Sequence, residues 1–187
     1  MSTAASPHPF ETTRCTGPIV VMGVCGCGKT SVGERLASTL SCRSIEGDSR
    51  HPVANVEEMR QGIPLEDADR WPWLELLGGE LGKDEQTIVS CSALKRSYRD
   101  LLRMRAGRPI TFVFLQGART LLSSRMGARE GHYMPLSLLD SQLATLELPQ
   151  DERDVVTVEI EQPLERIVSD AIARIAAIGF ATTTDNR

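Results

Sequence analysis

The sequence predicts a single α/β domain, a parallel sheet covered by helices on both faces. Three observations carry that prediction. Short apolar runs recur along the chain, segments with apolar residues three or four apart separate them, and the first run ends in a glycine-rich turn that opens directly into such a segment.

Taken in order, Ile19-Val20-Val21-Met22 enters Gly23 and reads as a buried strand ending in a turn. Residues 31–40 keep Val32, Leu36 and Leu40 four apart, which is a helix. Residues 43–46 form a weaker second strand. Helices are expected over 53–61 and 73–81, with Gly62-Ile63-Pro64 as the break between them. A third strand spans 87–91, followed by a helix over 94–104 with Leu94, Tyr98, Leu101 and Leu102 on one face. The run ITFVFL at 110–115 is the clearest buried strand. Helical patterns cover 118–129 and 135–146, a last strand covers 155–160, and a last helix covers 164–178. Neither an internal repeat nor an interior low-complexity linker interrupts this order. One domain over 18–178 is expected, between a disordered N-terminal tail at 1–17 and a short C-terminal tail at 179–187.

A chain of 187 residues, 41% hydrophobic and 25% charged, is long enough for a core that needs neither disulfide nor structural metal. Its 21 Lys plus Arg against 25 Asp plus Glu give a formal net charge of −4, which leaves no broad cationic face for nucleic acid. Aromatics are only 4%, so base stacking is not the theme either. Five cysteines (Cys15, Cys25, Cys27, Cys42, Cys91) without a CxxC pair suit a reduced, cytoplasmic protein. No apolar stretch approaches the ~18 residues of a membrane span, and the N-terminus lacks the apolar region of a secretory signal.

The turn after the first strand carries the chemistry. Gly23-Val24-Cys25-Gly26-Cys27-Gly28-Lys29-Thr30 matches GxxxxGK[ST] in full, between an expected strand and an expected helix. Glycines let the backbone wrap phosphates with several N–H groups pointing inward, and the following helix adds its positive N-terminal end. Lys29 would reach the β- and γ-phosphates of a nucleoside triphosphate, and the Thr30 hydroxyl would ligate Mg²⁺. The same positive environment should lower the thiol pKa of Cys25 and Cys27, which makes the loop a candidate oxidation switch.

Acceptor-side candidates follow. Glu46-Gly47-Asp48 closes the second strand at the carboxyl edge of the sheet, where ligands bind in open α/β folds. One carboxylate there can take a hydroxyl proton while the other holds Mg²⁺ through water; Asp48 as a plain turn or helix cap is the alternative. His51 is either a ligand contact or structural. Asp67, Asp69 and Arg70 read as a solvated helix start, or Arg70 reaches a substrate carboxylate with its planar fork. Lys95 and Arg99, four apart at the exit of the third strand, suit an acidic substrate, whereas Arg103 and Arg105 read as surface charge. Arg125 and Arg129, also four apart, lead into Glu130-Gly131-His132-Tyr133; a helix end before a glycine-containing loop suits a lid, and two arginines suit the charge on a transferring phosphoryl group.

Taken together, these stretches are specific. The order MGVxGxGK (22–29), xGDxxHPxxN (46–55), GxPLxDxDRxPWL (62–74), CSALKxxYRDLLR (91–103), RxxAREGHY (125–133) and DERDVVxVxIxQPL (151–164) resembles the bacterial-type gluconokinases over roughly residues 18–178. The resemblance implies a three-layer P-loop kinase fold similar to shikimate and nucleoside-monophosphate kinases, with a five-stranded parallel sheet, a lid and commonly a homodimer. It implies that ATP phosphorylates D-gluconate to 6-phospho-D-gluconate. By the same resemblance Asp48 receives the proton of the 6-hydroxyl, His51, Arg70, Lys95 and Arg99 surround the substrate, and Arg125 and Arg129 belong to the lid. Two positions depart from the family pattern: Glu46 stands where Asp is usual, and Cys25 and Cys27 stand where small hydroxyl residues are usual.

Other readings stay open at this point. A shikimate or nucleoside-monophosphate acceptor is the enzyme alternative. A GTP switch would carry Asn-Lys-x-Asp, which the chain lacks. A catalytically dead binder would not keep Lys29, Thr30, Asp48 and the lid arginines together.

Overall fold

The computed structural model describes residues 17–128 and 136–184, with side chains as far as residue 178. Five strands, β1 (Ile19–Met22), β2 (Arg43–Glu46), β3 (Thr87–Ser90), β4 (Thr111–Gln116) and β5 (Val155–Glu159), form one sheet of order β2-β3-β1-β4-β5. Every neighbouring pair is parallel, and Val20 of β1 faces Val89 on one side and Phe112 on the other.

Alternation along β1 explains the layers. Ile19 and Val21 point into a core shared with Val32 and Leu36 of α1 (Lys29–Leu40) and with Ile167 and Ala171 of α7 (Leu164–Thr184). Val20 and Met22 point the opposite way, into a core with Trp73, Leu74, Leu77 and Leu81 of α3 (Asp67–Lys83) and Tyr98 and Leu102 of α4 (Arg96–Ala106). A strand buried on both faces must be apolar throughout, so its sequence is continuous rather than alternating. The remaining helices are α2 (Val53–Arg60), α5 (Arg119–Gly127) and α6 (Leu136–Thr145).

Several boundaries differ from the sequence reading. Helix α3 starts six residues before 73, because Glu66 and Asp69 form a reciprocal capping box. Pro72 lies in its second turn, where a proline, lacking the N–H for an i→i−4 bond, ordinarily reads as a helix boundary. Helix α4 starts at Arg96 rather than 94, since Lys95 is its N-cap and adopts an extended backbone (φ −93°, ψ 151°), just after the left-handed Ala93 (φ 42°). Helix α7 continues to Thr184, beyond residue 178. The expected N-terminal tail lies outside the described residues apart from Gly17.

The order of strands places the site. From β1 the sheet extends to β3 and β2 on one side and to β4 and β5 on the other, so the loop leaving β1 opens at the point where the winding reverses.

Candidate active site

The loop after β1 is shaped by three positive-φ glycines, Gly23 (147°), Gly26 (79°) and Gly28 (90°). Gly28 is the N-cap of α1 and supplies no side chain, and the first turn holds no acidic residue. The first turn of α1 therefore has no capping side chain from Gly28 and no acidic residue to offset the positive end of the helix dipole. The Lys29 ammonium bonds Val24 O at 3.2 Å. Burial works against its charge, but Cys27, Asp48, Cys25 and Glu46 face it, and its pKa stands above the ordinary lysine value.

This loop forms one wall of a cavity of about 670 Å³, through Cys25, Gly26, Gly28, Lys29 and Thr30. Glu46 and Asp48 line the same cavity, on the segment that leaves β2. Gly47 between them is clamped: its N–H donates to Ser90 O at 2.9 Å, and its carbonyl accepts from Trp73 Nε1 at 2.8 Å. A Cβ at Gly47 would run into Ser90 O, so only glycine permits this approach of the two strand ends. Asp48 opens a one-turn 3₁₀ helix (Asp48–Arg50) whose N-cap is Gly47, without a side-chain cap. The Asp48 carboxylate is exposed to the cavity rather than used as a cap. Glu46 Oε1 accepts from the Asp48 N–H at 3.3 Å, while its Oε2 is buried and without a hydrogen-bond partner.

His51 and Arg70 complete the acceptor side, and both line the cavity. The His51 ring stacks on Trp73 at 4.0 Å between centroids, and its Nδ1 lies 3.5 Å from Asn55 Nδ2. Burial pushes its pKa down to about 4, helped by Arg70 and opposed by Asp48, so the imidazole is neutral at neutral pH. Arg70 is buried, donates from Nε to Leu65 O at 3.4 Å and lies 5.9 Å from the Tyr98 ring centre.

Three expected residues do not reach the cavity. Lys95 Nζ is held by both Asp67 oxygens (2.7 and 2.9 Å), and Tyr98 donates to the same carboxylate. Those hydrogen bonds keep the Asp67 pKa below the ordinary carboxylate range. Arg99 is fully buried, and all five of its N–H donors are used. Nε meets both Glu152 oxygens, Nη1 meets Ala93 O and Leu94 O, and Nη2 meets Glu147 O and Glu152 Oε1. Its work is to hold the left-handed turn at Ala93, next to the cavity-lining Ser92. Arg125 directs Nη2 to Ile160 O at 2.8 Å. Arg129 and the segment 130–133 lie outside the described residues.

The oxidation switch is corrected by burial. Cys27 is fully buried and Cys25 nearly so, with Cys25 Sγ 3.4 Å from Met126 Sδ. Burial outweighs the pull of Lys29, so the Cys25 pKa is pushed up to about 11 and that of Cys27 is also raised. Neither is a reactive thiolate at neutral pH.

Several lining residues escaped the sequence reading, among them Ser49, Met126 and Leu138. Val56, Met59 and Arg60 share one face of α2, and their i, i+3, i+4 spacing was the available signal. Gln142 lies on α6 four residues after the buried Leu138, a polar residue on an apolar stripe, and its Oε1 accepts the Cys25 N–H at 2.7 Å.

A family model described as an AAA domain matches residues 19–149. The gluconokinase of Gluconobacter oxydans (strain 621H) is 46% identical over 163 residues, 85% of this chain and 91% of that protein. The thermosensitive gluconokinase of Escherichia coli (strain K12) is 42% identical over 165 residues, 85% and 87% of the two chains. The crystal structure of a gluconokinase from Sinorhizobium meliloti 1021 superposes with a TM-score of 0.86 at 49% identity, covering 93% of this chain and 99% of that one.

Proposed function

Because the chain belongs to the gluconokinase family, we infer that it transfers the γ-phosphoryl group of ATP to the 6-hydroxyl of D-gluconate, giving 6-phospho-D-gluconate and ADP. The observation that carries this is a single cavity walled by the phosphate loop on one side and by Asp48, His51 and Arg70 on the other.

Loop N–H groups and Lys29 hold the phosphates where negative charge develops, in a site already arranged before the reaction. Asp48 accepts the proton of the attacking hydroxyl as its oxygen bonds to phosphorus and the bond to ADP breaks. Arg70 meets the gluconate carboxylate, and neutral His51 hydrogen-bonds a hydroxyl rather than supplying charge. Lys95 and Arg99 act one step removed, holding Asp67 and the turn at Ala93. Arg125 is engaged by Ile160 O in this conformation, so Lys29 and the loop carry the phosphate charge here; with Arg129 it is assigned to the lid by the family resemblance alone.

Mg²⁺ fits the residues present: Thr30, a hydroxyl residue, lines the cavity, and the unpartnered buried Oε2 of Glu46 is suited to a metal-bound water. When bound, the ion neutralises the phosphate oxygens. The longer Glu46 serves where aspartate is usual in the family. A cytoplasmic homodimer acting on a small molecule, not on nucleic acid or a membrane, belongs to the same proposal; among the described residues Cys25, Cys27 and Cys91 are free thiols, which suits a reducing compartment, the charge of −4 disfavours nucleic acid, and the homodimer rests on the family resemblance. Among the described residues no helix is long and apolar enough to cross a membrane.

A coupled ADP-release assay over gluconate, shikimate and AMP tests the reading. Turnover with gluconate well above the other two is expected. Turnover of shikimate or AMP with none of gluconate would overturn it.

A further inference from the structure

Gln142 reaches the phosphate loop from 117 positions away in sequence. Helix α6 is anchored by Leu138 and Leu139, both buried, and that face projects Gln142 into the cavity. Its Oε1 accepts the Cys25 N–H at 2.7 Å. Cys25 is the third residue of the loop and lines the cavity that Asp48 also lines. The phosphoryl group must lie between the loop and Asp48, so this N–H belongs to the γ-phosphate end of the site.

A carboxamide oxygen here takes the place of a phosphate oxygen: it is an acceptor on an N–H within a loop built to receive anions. One N–H makes one good hydrogen bond, so the contact cannot survive when a phosphate oxygen takes that donor. The same carboxamide carries two N–H donors, and turning about its terminal bond presents them instead.

Building on the phosphotransfer reading, we propose that Gln142 is a catalytic residue of this site. In the nucleotide-free protein it holds the Cys25 N–H; with the triphosphate bound it yields that N–H and donates from Nε2 to a γ-phosphate oxygen. The exchange makes α6 sensitive to the γ-phosphate and blind to ADP.

The test uses the full chain and two substitutions. Gln142→Glu keeps the size and the acceptor but has no donor and repels phosphate. It should weaken a non-hydrolysable ATP analogue about tenfold or more, leave ADP within about twofold, and lower kcat about 10²-fold, as for loss of one oxyanion donor. Gln142→Met keeps the length without polarity and, having lost the same donor, should also lower kcat about 10²-fold with ADP affinity again within about twofold. Thermal melting identifies which variants fold, and either folded variant decides the question. Equal loss of ADP and analogue would show a mere prop of the loop, and unchanged kcat and analogue affinity would show a bystander; either overturns the proposal. A wild-type chain that turns over no gluconate would remove the acceptor assignment alone, because the ADP-versus-analogue comparison needs no acceptor.

Discussion

Asp48 and Arg99 are both charged and both lie next to the cavity, yet their surroundings give them opposite work. Asp48 is exposed and caps nothing, which leaves its carboxylate available for a proton. Asp48→Asn should keep nucleotide binding and lose about 10²–10⁴ in kcat, the usual range for a general base. A loss below threefold in steady-state kinetics would move the base elsewhere. Arg99 is buried with every donor matched, so Arg99→Met should cost about 3–5 kcal/mol of stability, because it leaves Glu152 to Arg103 and the carbonyls of Ala93, Leu94 and Glu147 without their donor. Urea denaturation checks it; a stable variant with only a raised KM for gluconate would restore Arg99 to the substrate site. At Cys25 and Cys27 burial and raised pKa values predict that mild peroxide inactivates wild type and a Cys25→Ser/Cys27→Ser variant at the same rate. Selective protection of that variant would reinstate the switch.

The elements that carry these residues are held by backbone contacts as much as by packing. The end of β2 meets the end of β3 through Gly47 N–H to Ser90 O, at a distance that excludes any Cβ. Gly47→Ala should therefore shift the 3₁₀ turn that carries Asp48, costing about 1–3 kcal/mol as overpacking does and lowering kcat further than stability alone accounts for. Unchanged kcat at a temperature where the variant is fully folded would show that the turn tolerates displacement. Helix α4 is tied to the segment before β5 by Arg99 and Arg103 on Glu152, with Arg103 also on Asp154. Two distant stretches of sequence thus define the turn at Ala93 together.

Across the molecule, buried titratable groups set the response to acid. The folded His51 pKa of about 4 lies below its ordinary 6.5, so the fold favours the neutral ring. Its contribution is intact above about 6.5 and is lost as pH falls toward 4. Burial alone would raise the Glu152 pKa, but hydrogen bonds from Arg99 and Arg103 hold it below the usual carboxylate value. Its contribution too is present at neutral pH and is lost as pH falls through that depressed value. Melting temperature should accordingly drop between about pH 6.5 and 4, and His51→Asn should flatten the upper part of that drop. A wild-type profile that is flat from 6.5 to 4 would refute the burial argument.

The strand–helix order, the glycine loop and Asp48 were legible in the chain because each depends on local pattern: apolar periodicity, positive-φ glycines, a carboxylate at a strand end. The true start of α3 was hidden by Pro72, which reads as a helix boundary but here lies inside the helix. Arg99 and Lys95 carried the same charge and spacing as substrate ligands, and only folding supplied Glu152 and Asp67 as their partners. Gln142 lies far from the loop in sequence, so nothing near either residue announced their bond. Local backbone preference is encoded in neighbouring residues, whereas the partner of a buried polar group is chosen by long-range packing, and that choice separates a ligand from a brace.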